Sequence, residues 1–155
     1  MSVQYSFVIF DADHFHSLCG QNYGPEEVYA ALDEVTGEAI SEIDGVYTGG
    51  AYYSEEQEYI GSIFDVIHSD LEYEEPGEAV SRAIELLAKI SDGKGNLSDS
   101  EPLFGFLTAE EVVELHKLLV QLEVSAYLQE KMIPWARAIL ARAWDAEMGL
   151  LVLGH

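Results

Sequence analysis

The residues best suited to chemistry in this chain stand together in the segment DADHFH, which holds two carboxylates and two imidazoles within six positions. These groups belong to Asp11, Asp13, His14 and His16, and both types are ligands of divalent metals. Side chains alternate between the faces of a strand, so the four converge on one ion only if the chain turns directly after Phe10. We therefore predict no bound metal and no other cofactor. A small metal-dependent enzyme built on these four residues is the alternative function.

Other catalytic patterns fit the sequence less well. An apolar strand followed by Asp-x-Asp resembles the first motif of the haloacid-dehalogenase-like phosphotransferases, which implies Asp11 as nucleophile and Asp13 as acid/base. That family needs an alternation of strands and helices that this chain does not offer. Cys19 is the single cysteine, which excludes an internal disulfide, and it is expected to be a buried apolar residue.

A second candidate site consists of tyrosines that stand among carboxylates. Exposed aromatic residues often anchor protein interfaces, and acidic neighbours suit a basic partner. The alternative interpretation is that these tyrosines pack at the edge of the core. The residues we predict to bind a partner are Tyr52, Tyr53, Glu72, Tyr73, Glu74 and Glu75.

The charge of the chain supports this second candidate. Its 155 residues include 29 Asp and Glu against 7 Lys and Arg, a formal net charge of −22, yet 48% of them are hydrophobic. Residues 1–101 hold 22 acids and 3 bases, so the excess is concentrated there. A negative surface repels nucleic acid and anionic membranes and attracts basic proteins. The charge is also compatible with a solubility role alone.

The elements that position these residues predict an α+β fold. We expect a single helix-rich domain over residues 1–155 that contains a small sheet. Val3–Phe10 is apolar on both faces in its second half and indicates a central strand. Leu150–Leu153 is a second apolar strand that needs neighbours, and we expect both in one sheet. Residues 45–54 (GVYTGGAYYS) are a further strand candidate with a bend at its glycines.

Helical spacing covers most of the rest of the chain. Helices are predicted after Asp13, from Pro25 with an extension or restart within residues 37–45, after a Ser54–Gln57 capping box, from Pro76, from Thr108, and from Pro134 to Gly149. Trp135, Ile139, Ala143 and Trp144 are assigned to the core face of the last helix. The polar stretch of residues 91–102 is predicted to be a loop.

One family resemblance appears in the last third of the chain. FGFLTAEEVVELHKLL and, after a spacer, IPWARAILARAWDAEMGLLVL resemble the closing pattern of the YfbM-like bacterial proteins of unknown function. In that pattern a Leu-Ser/Thr-x-Glu-Glu-Val helix precedes an amphipathic helix and a Gly-containing turn into a last apolar strand. The resemblance implies a compact α+β domain and transfers no catalytic residue.

These observations favour a non-enzymatic interaction protein over an enzyme. We expect a cytoplasmic protein of the immunity or inhibitor type, whose acidic face binds a basic protein partner and neither nucleic acid nor membrane. No signal peptide is recognised at the start of the sequence, and no stretch is apolar enough to span a bilayer.

Overall fold

The computed structural model describes residues 5–20, 24–35, 37–43, 46–47, 52–53, 60–75, 77–90 and 103–154. Its helices in these ranges are α1 (Ala12–Cys19), α2 (Pro25–Glu34), α3 (Ile63–Leu71), α4 (Glu78–Ala88), α5 (Ala109–Gln121) and α6 (Ile133–Asp145), the last preceded by a π-helical segment, Leu128–Met132. The strands are β1 (Tyr5–Phe10), β2 (Gly37–Ile40), β3 (Glu42–Ile43), β4 (Val46–Tyr47), β5 (Tyr52–Tyr53), β6 (Ile60–Gly61), β7 (Leu103–Leu107) and β8 (Gly149–Gly154).

A four-stranded antiparallel sheet in the order β2-β1-β8-β7 forms the centre of the fold. Phe7 lies opposite Val152 and Ile9 lies opposite Leu150 across the β1–β8 pair. The predicted α+β class is confirmed, as is the prediction that the first and last strands share one sheet.

Helices cover both faces of this sheet, which explains why its central strands are apolar on both sides. One face buries Phe7, Ile9, Leu150 and Val152 in a large core with α3, α4, α5 and α6. The ring of Phe7 meets that of Phe64 on α3 edge to face, with centroids 5.6 Å apart. The predicted packing of the last two long helices on the sheet is therefore confirmed.

The opposite face carries a smaller core formed with α1 and α2. Phe10, Phe15 and Phe106 meet there, with ring centroids 5.1–6.0 Å apart. Val28 of α2 is fully buried beside them. This cluster explains how α1 can follow β1 after a single residue: the turn at Asp11 folds Phe15 back over the ring of Phe10.

Two predicted helical segments are wrong. The helix from Pro25 does not continue through residues 37–45, because Gly37–Ile40 pairs with the free edge of β1 instead. The third helix begins at Ile63 under a capping box made by Ser62 and Asp65, rather than at Ser54, and Ile60 belongs to a strand. Residues 54–59 lie outside the described residues.

The strand predictions also need correction. Residues 45–54 contribute two short strands, β4 and β5, which belong to separate two-stranded ladders with β3 and β6. Strand β7 was not predicted, and it forms an edge of the main sheet. The loop expected over residues 91–102 falls outside the described residues.

None of the helices in the described part of the chain combines the length and the apolar composition that a bilayer crossing requires.

Gly105 in β7 permits the close approach of α4 to the sheet. A Cβ atom at this position would lie 2.1 Å from the carbonyl oxygen of Lys89 and 2.9 Å from the Cα atom of Ile90. Both are backbone atoms, so neither can rotate away.

We therefore predict that Gly105→Ala lowers the free energy of unfolding by about 1–3 kcal/mol, because a well-packed contact must open. Urea denaturation measures this change. Gly77→Ala is the control without a clash, since a Cβ at Gly77 meets nothing within 4 Å. Because Gly77 is the N-cap of α4, where alanine is disfavoured, a loss smaller than that of Gly105→Ala is expected there. Equal losses in the two variants would contradict the proposed close approach.

Candidate functional site

The structure does not join the four residues of the N-terminal cluster into one site. The chain turns at once after Phe10, as convergence requires, but Asp11 is then occupied as the cap of α1. Its Oδ1 accepts a hydrogen bond from the backbone N–H of His14 at 3.0 Å. Asp13, His14 and His16 are exposed on the first turns of the helix.

No group of three or more His, Cys, Asp or Glu side chains within the described ranges is arranged to hold a metal ion. In the DADHFH segment, one carboxylate caps α1, and the other carboxylate and the two imidazoles lie on the surface of that helix. The enzyme interpretation of Asp11, Asp13, His14 and His16 gains no support from this geometry.

Cys19 lies at the end of α1 and is buried, as expected. Burial, together with the charge of Glu27, raises the pKa of its thiol. The thiol donates to the carbonyl oxygen of Glu27 at a sulfur–oxygen distance of 3.8 Å. A nucleophilic cysteine needs the opposite shift toward thiolate, so Cys19 is a packing residue.

The acidic tyrosine turn, Glu72–Glu75, immediately follows α3. Tyr73 is 80% exposed, more than any other large hydrophobic residue in the described ranges. Glu72 and Glu75 on either side of it are exposed as well. The turn therefore presents an aromatic ring and two carboxylates to the solvent.

Glu74 differs from its neighbours because it is half-buried and joins two parts of the fold. Its Oε1 accepts a hydrogen bond from the backbone N–H of Ser125 at 3.1 Å. This contact fixes the turn against the segment between α5 and α6. Tyr52 and Tyr53 form β5, and for these two residues the structure describes the backbone alone.

Several of the few basic side chains are engaged by carboxylates within the fold. Arg82 donates from Nε and Nη2 to Glu114 at 2.7 and 2.8 Å, and from Nη1 to Glu85 at 2.9 Å. These bonds raise the pKa of Arg82 and lower the pKa of Glu114. The same bonds engage the guanidinium group of Arg82, which lines the groove between α4 and α5.

Lys89 is engaged in the same way, whereas Arg142 only approaches a carboxylate. Lys89 pairs with Glu111, whose other oxygen accepts from the backbone N–H of Thr108 in the capping box of α5. Burial opposes ionisation of Glu111, yet the Lys89 and Thr108 hydrogen bonds hold its pKa below the usual value. Arg142 lies 4.0 Å from Glu38. These contacts leave the exposed acids of the described surface with fewer positive neighbours.

A cavity of about 400 Å³ opens between the start of α5 and the end of α6. Its walls are formed by Ala109, Glu110, Val113, Trp144, Glu147 and Met148. Trp144 was predicted to lie on the core face of the helix, but the residue is 37% exposed. The 3.6-residue stripe of α6 explains the difference, because Ala136, Ile139, Leu140 and Ala143 take the buried positions.

The ring of Trp144 has polar neighbours on α5. The ring of His116 meets it edge to face, with centroids 5.2 Å apart, and Nζ of Lys117 lies 5.8 Å from its centroid. Burial and the charge of Arg137 lower the pKa of His116, while Asp145 opposes them. The lowered pKa favours the neutral form of the His116 imidazole, and Nζ of Lys117 lies within cation–π distance of the indole.

Glu147 forms the rim of this cavity in an unusual backbone conformation, with φ 57°. Its N–H donates to the carbonyl of Trp144 at 2.9 Å, and the N–H of Met148 donates to Ala143 at 3.0 Å. This pair of bonds is the Schellman ending of a helix, in which the left-handed position usually holds glycine. The prediction that Gly149 ends the helix is thus wrong. The helix ends at Asp145, and its left-handed position is Glu147, two residues before Gly149.

Gly149 has a different role at the start of β8. A Cβ atom there would lie 2.3 Å from the carbonyl oxygen of Leu107 and 2.5 Å from the Cβ of Ala12. The glycine therefore permits close packing of the sheet against α1. The left-handed position of the helix ending is Glu147 rather than this glycine, so a residue with a Cβ atom carries the backbone strain.

Comparisons with known proteins leave the function open. No family model matches the chain, and no match is found among curated proteins. Among solved structures it is similar to a protein of unknown function, YfbM from Escherichia coli, over 99% of both chains, with 14% sequence identity and a TM-score of 0.43. That alignment spans nearly the whole chain, whereas the sequence resemblance was limited to its last third.

We predict that Glu147→Gly raises the free energy of unfolding by about 1 kcal/mol, because glycine adopts the left-handed conformation without the clash of a Cβ atom. Chemical denaturation measures the change. The control is Ala146→Gly, one residue earlier at φ −84°, where glycine should lower stability. A loss of stability in Glu147→Gly would show that the side chain contributes more than its backbone strain costs.

Proposed function

We propose that this protein is a small acidic interaction module that binds a basic protein, as immunity and inhibitor proteins bind basic toxins. The observation that carries the proposal is the exposed ring of Tyr73 between the exposed carboxylates of Glu72 and Glu75, on a chain with a net charge of −22. An exposed aromatic residue is a suitable anchor, and the surrounding charge accelerates encounter with a basic surface.

The arrangement of the basic residues supports the same proposal. Arg82, Lys89 and Arg142 each lie next to a carboxylate of the fold, so they do little to offset the remaining exposed acids. A partner with a positive surface would therefore meet a largely unscreened negative field. Tyr52 and Tyr53 belong to this proposal as further partner-binding residues.

The first test is capture of partners from native cytosol at low salt with the tagged full chain. We expect a basic protein that elutes as the salt concentration rises, because surface attraction is screened over about 3 Å at 1 M salt. A captured protein that is not basic, or whose binding is indifferent to salt, would contradict the proposal.

With that partner in hand, the double substitution Glu72→Gln/Glu75→Gln should slow association roughly two- to fivefold, because peripheral charges mainly steer encounter. Glu74 is left intact because it bonds to Ser125. The matched control is Asp33→Asn/Glu34→Gln, which removes the same charge from exposed positions on α2, across the sheet. Stopped-flow or surface-binding kinetics give the rates. Equal slowing by both variants would assign the effect to total charge rather than to this turn.

Tyr73→Ala should instead accelerate dissociation, by roughly thirtyfold if the ring is an anchor worth about 2 kcal/mol. Tyr73→Phe keeps the ring and should retain most of the affinity. Tyr29→Ala, at a 39% exposed tyrosine on α2, is the control for loss of an exposed ring elsewhere. An unchanged dissociation rate in Tyr73→Ala would remove Tyr73 from the interface.

A further inference from the structure

We propose that the cavity between α5 and α6 receives an arginine side chain of the basic partner, with its guanidinium group against Trp144 and the carboxylates of Glu110 and Glu147. This inference rests on the proposed function and specifies which group of a basic protein is recognised. It adds a recognition site to the acidic tyrosine turn.

The chemistry of the walls matches both parts of an arginine side chain. Val113, Met148 and Ala109 provide apolar surface for the alkyl stem, and the partly exposed indole of Trp144 provides an aromatic surface for the cation. A planar guanidinium stacks on aromatic rings and bonds to carboxylates through a fork of donors, which a compact ammonium group cannot do equally well.

The charges around the cavity favour a cation. In the described part of the chain, the charged side chains that line it are both carboxylates, Glu110 and Glu147. Both are exposed and therefore accessible to a partner. The nearby cations are Lys117, with Nζ 5.8 Å from the indole centroid, and Arg137, whose charge acts on His116. Asp145 adds a third carboxylate, so the acidic groups around the ring still outnumber the basic ones.

The backbone at Glu147 gives an independent reason to assign a role to this rim. The Schellman ending of α6 places a residue with φ 57° at the mouth of the cavity, and glycine would fit there without strain. Non-glycine residues held in this conformation cluster at functional sites. The strained position is the one that supplies the second carboxylate of the cavity.

The test uses a capped tripeptide, N-acetyl-Gly-Arg-Gly-amide, titrated into the ¹⁵N-labelled full chain at about 0.15 M ionic strength so that general attraction is screened. The indole N–H signals of Trp144 and Trp135 are the readout, assigned with Trp144→Phe. We expect a saturable shift of the Trp144 signal and a much smaller shift of Trp135. The citrulline peptide, which is neutral but similar in shape, should bind roughly tenfold more weakly, and the lysine peptide should be intermediate.

Substitutions then identify the walls. Glu110→Gln and Glu147→Gly should each weaken the arginine peptide roughly threefold or more, because each removes one charge-assisted partner. Glu147→Gly is informative because its binding loss cannot be attributed to unfolding if the variant is more stable. Asp33→Asn on α2 is the remote charge control and should leave the affinity unchanged.

Equal binding of the citrulline and arginine peptides, equal shifts of the two indole signals, or full affinity in Glu110→Gln/Glu147→Gln would each overturn the site. Failure of the peptide, together with a captured basic partner that responds to Glu72→Gln/Glu75→Gln, would reject the arginine site and leave the proposed function standing. Specific peptide binding without any recoverable basic protein would support the site and count against the proposed function.

Discussion

The pairing of β1 with β8 is the contact on which the other layers depend. It joins the two ends of the described chain, and both strands contribute side chains to the cores on both faces of the sheet. Each buried Phe, Ile, Leu or Val side chain contributes about 1.5–3 kcal/mol relative to exposure, so neither strand is stable without cover on both sides. Once the pair forms, α5 and α6 have a surface on one face, while α1 and α2 have a surface on the other.

The connection from α6 into β8 links this central pairing to the candidate arginine site. The Schellman bonds at Glu147 and Met148 end the helix, and Gly149 then enters the sheet opposite Phe10. The geometry that sets the register of β8 thus also places Glu147 beside Trp144 at the cavity. A change in this turn therefore affects the sheet and the cavity together.

The parts of the fold that sequence could predict are those with a strong local pattern. FVIF and LLVL are apolar on both faces, and Thr108 and Pro134 stand at or near helix starts, so all four were located. Strands β2 and β7 were missed, because one follows a helical pattern and the other carries Gly105, and both are defined by pairing with distant residues. The carboxylates around Tyr73 in the sequence favoured a surface position, and Tyr73 is exposed in the structure. The cavity was beyond sequence analysis, because it arises from the packing of α5 against α6.

The acidic excess lowers the stability of the fold but favours binding of the proposed basic partner. Carboxylates repel each other in the compact state, so a net charge of −22 destabilises the fold while it attracts a positive surface. Salt screens both effects over a Debye length of about 8 Å at physiological ionic strength. Added salt therefore stabilises the isolated protein and weakens a charge-steered complex. We therefore expect salt-induced dissociation of a complex to reflect the electrostatic part of recognition rather than unfolding of this chain.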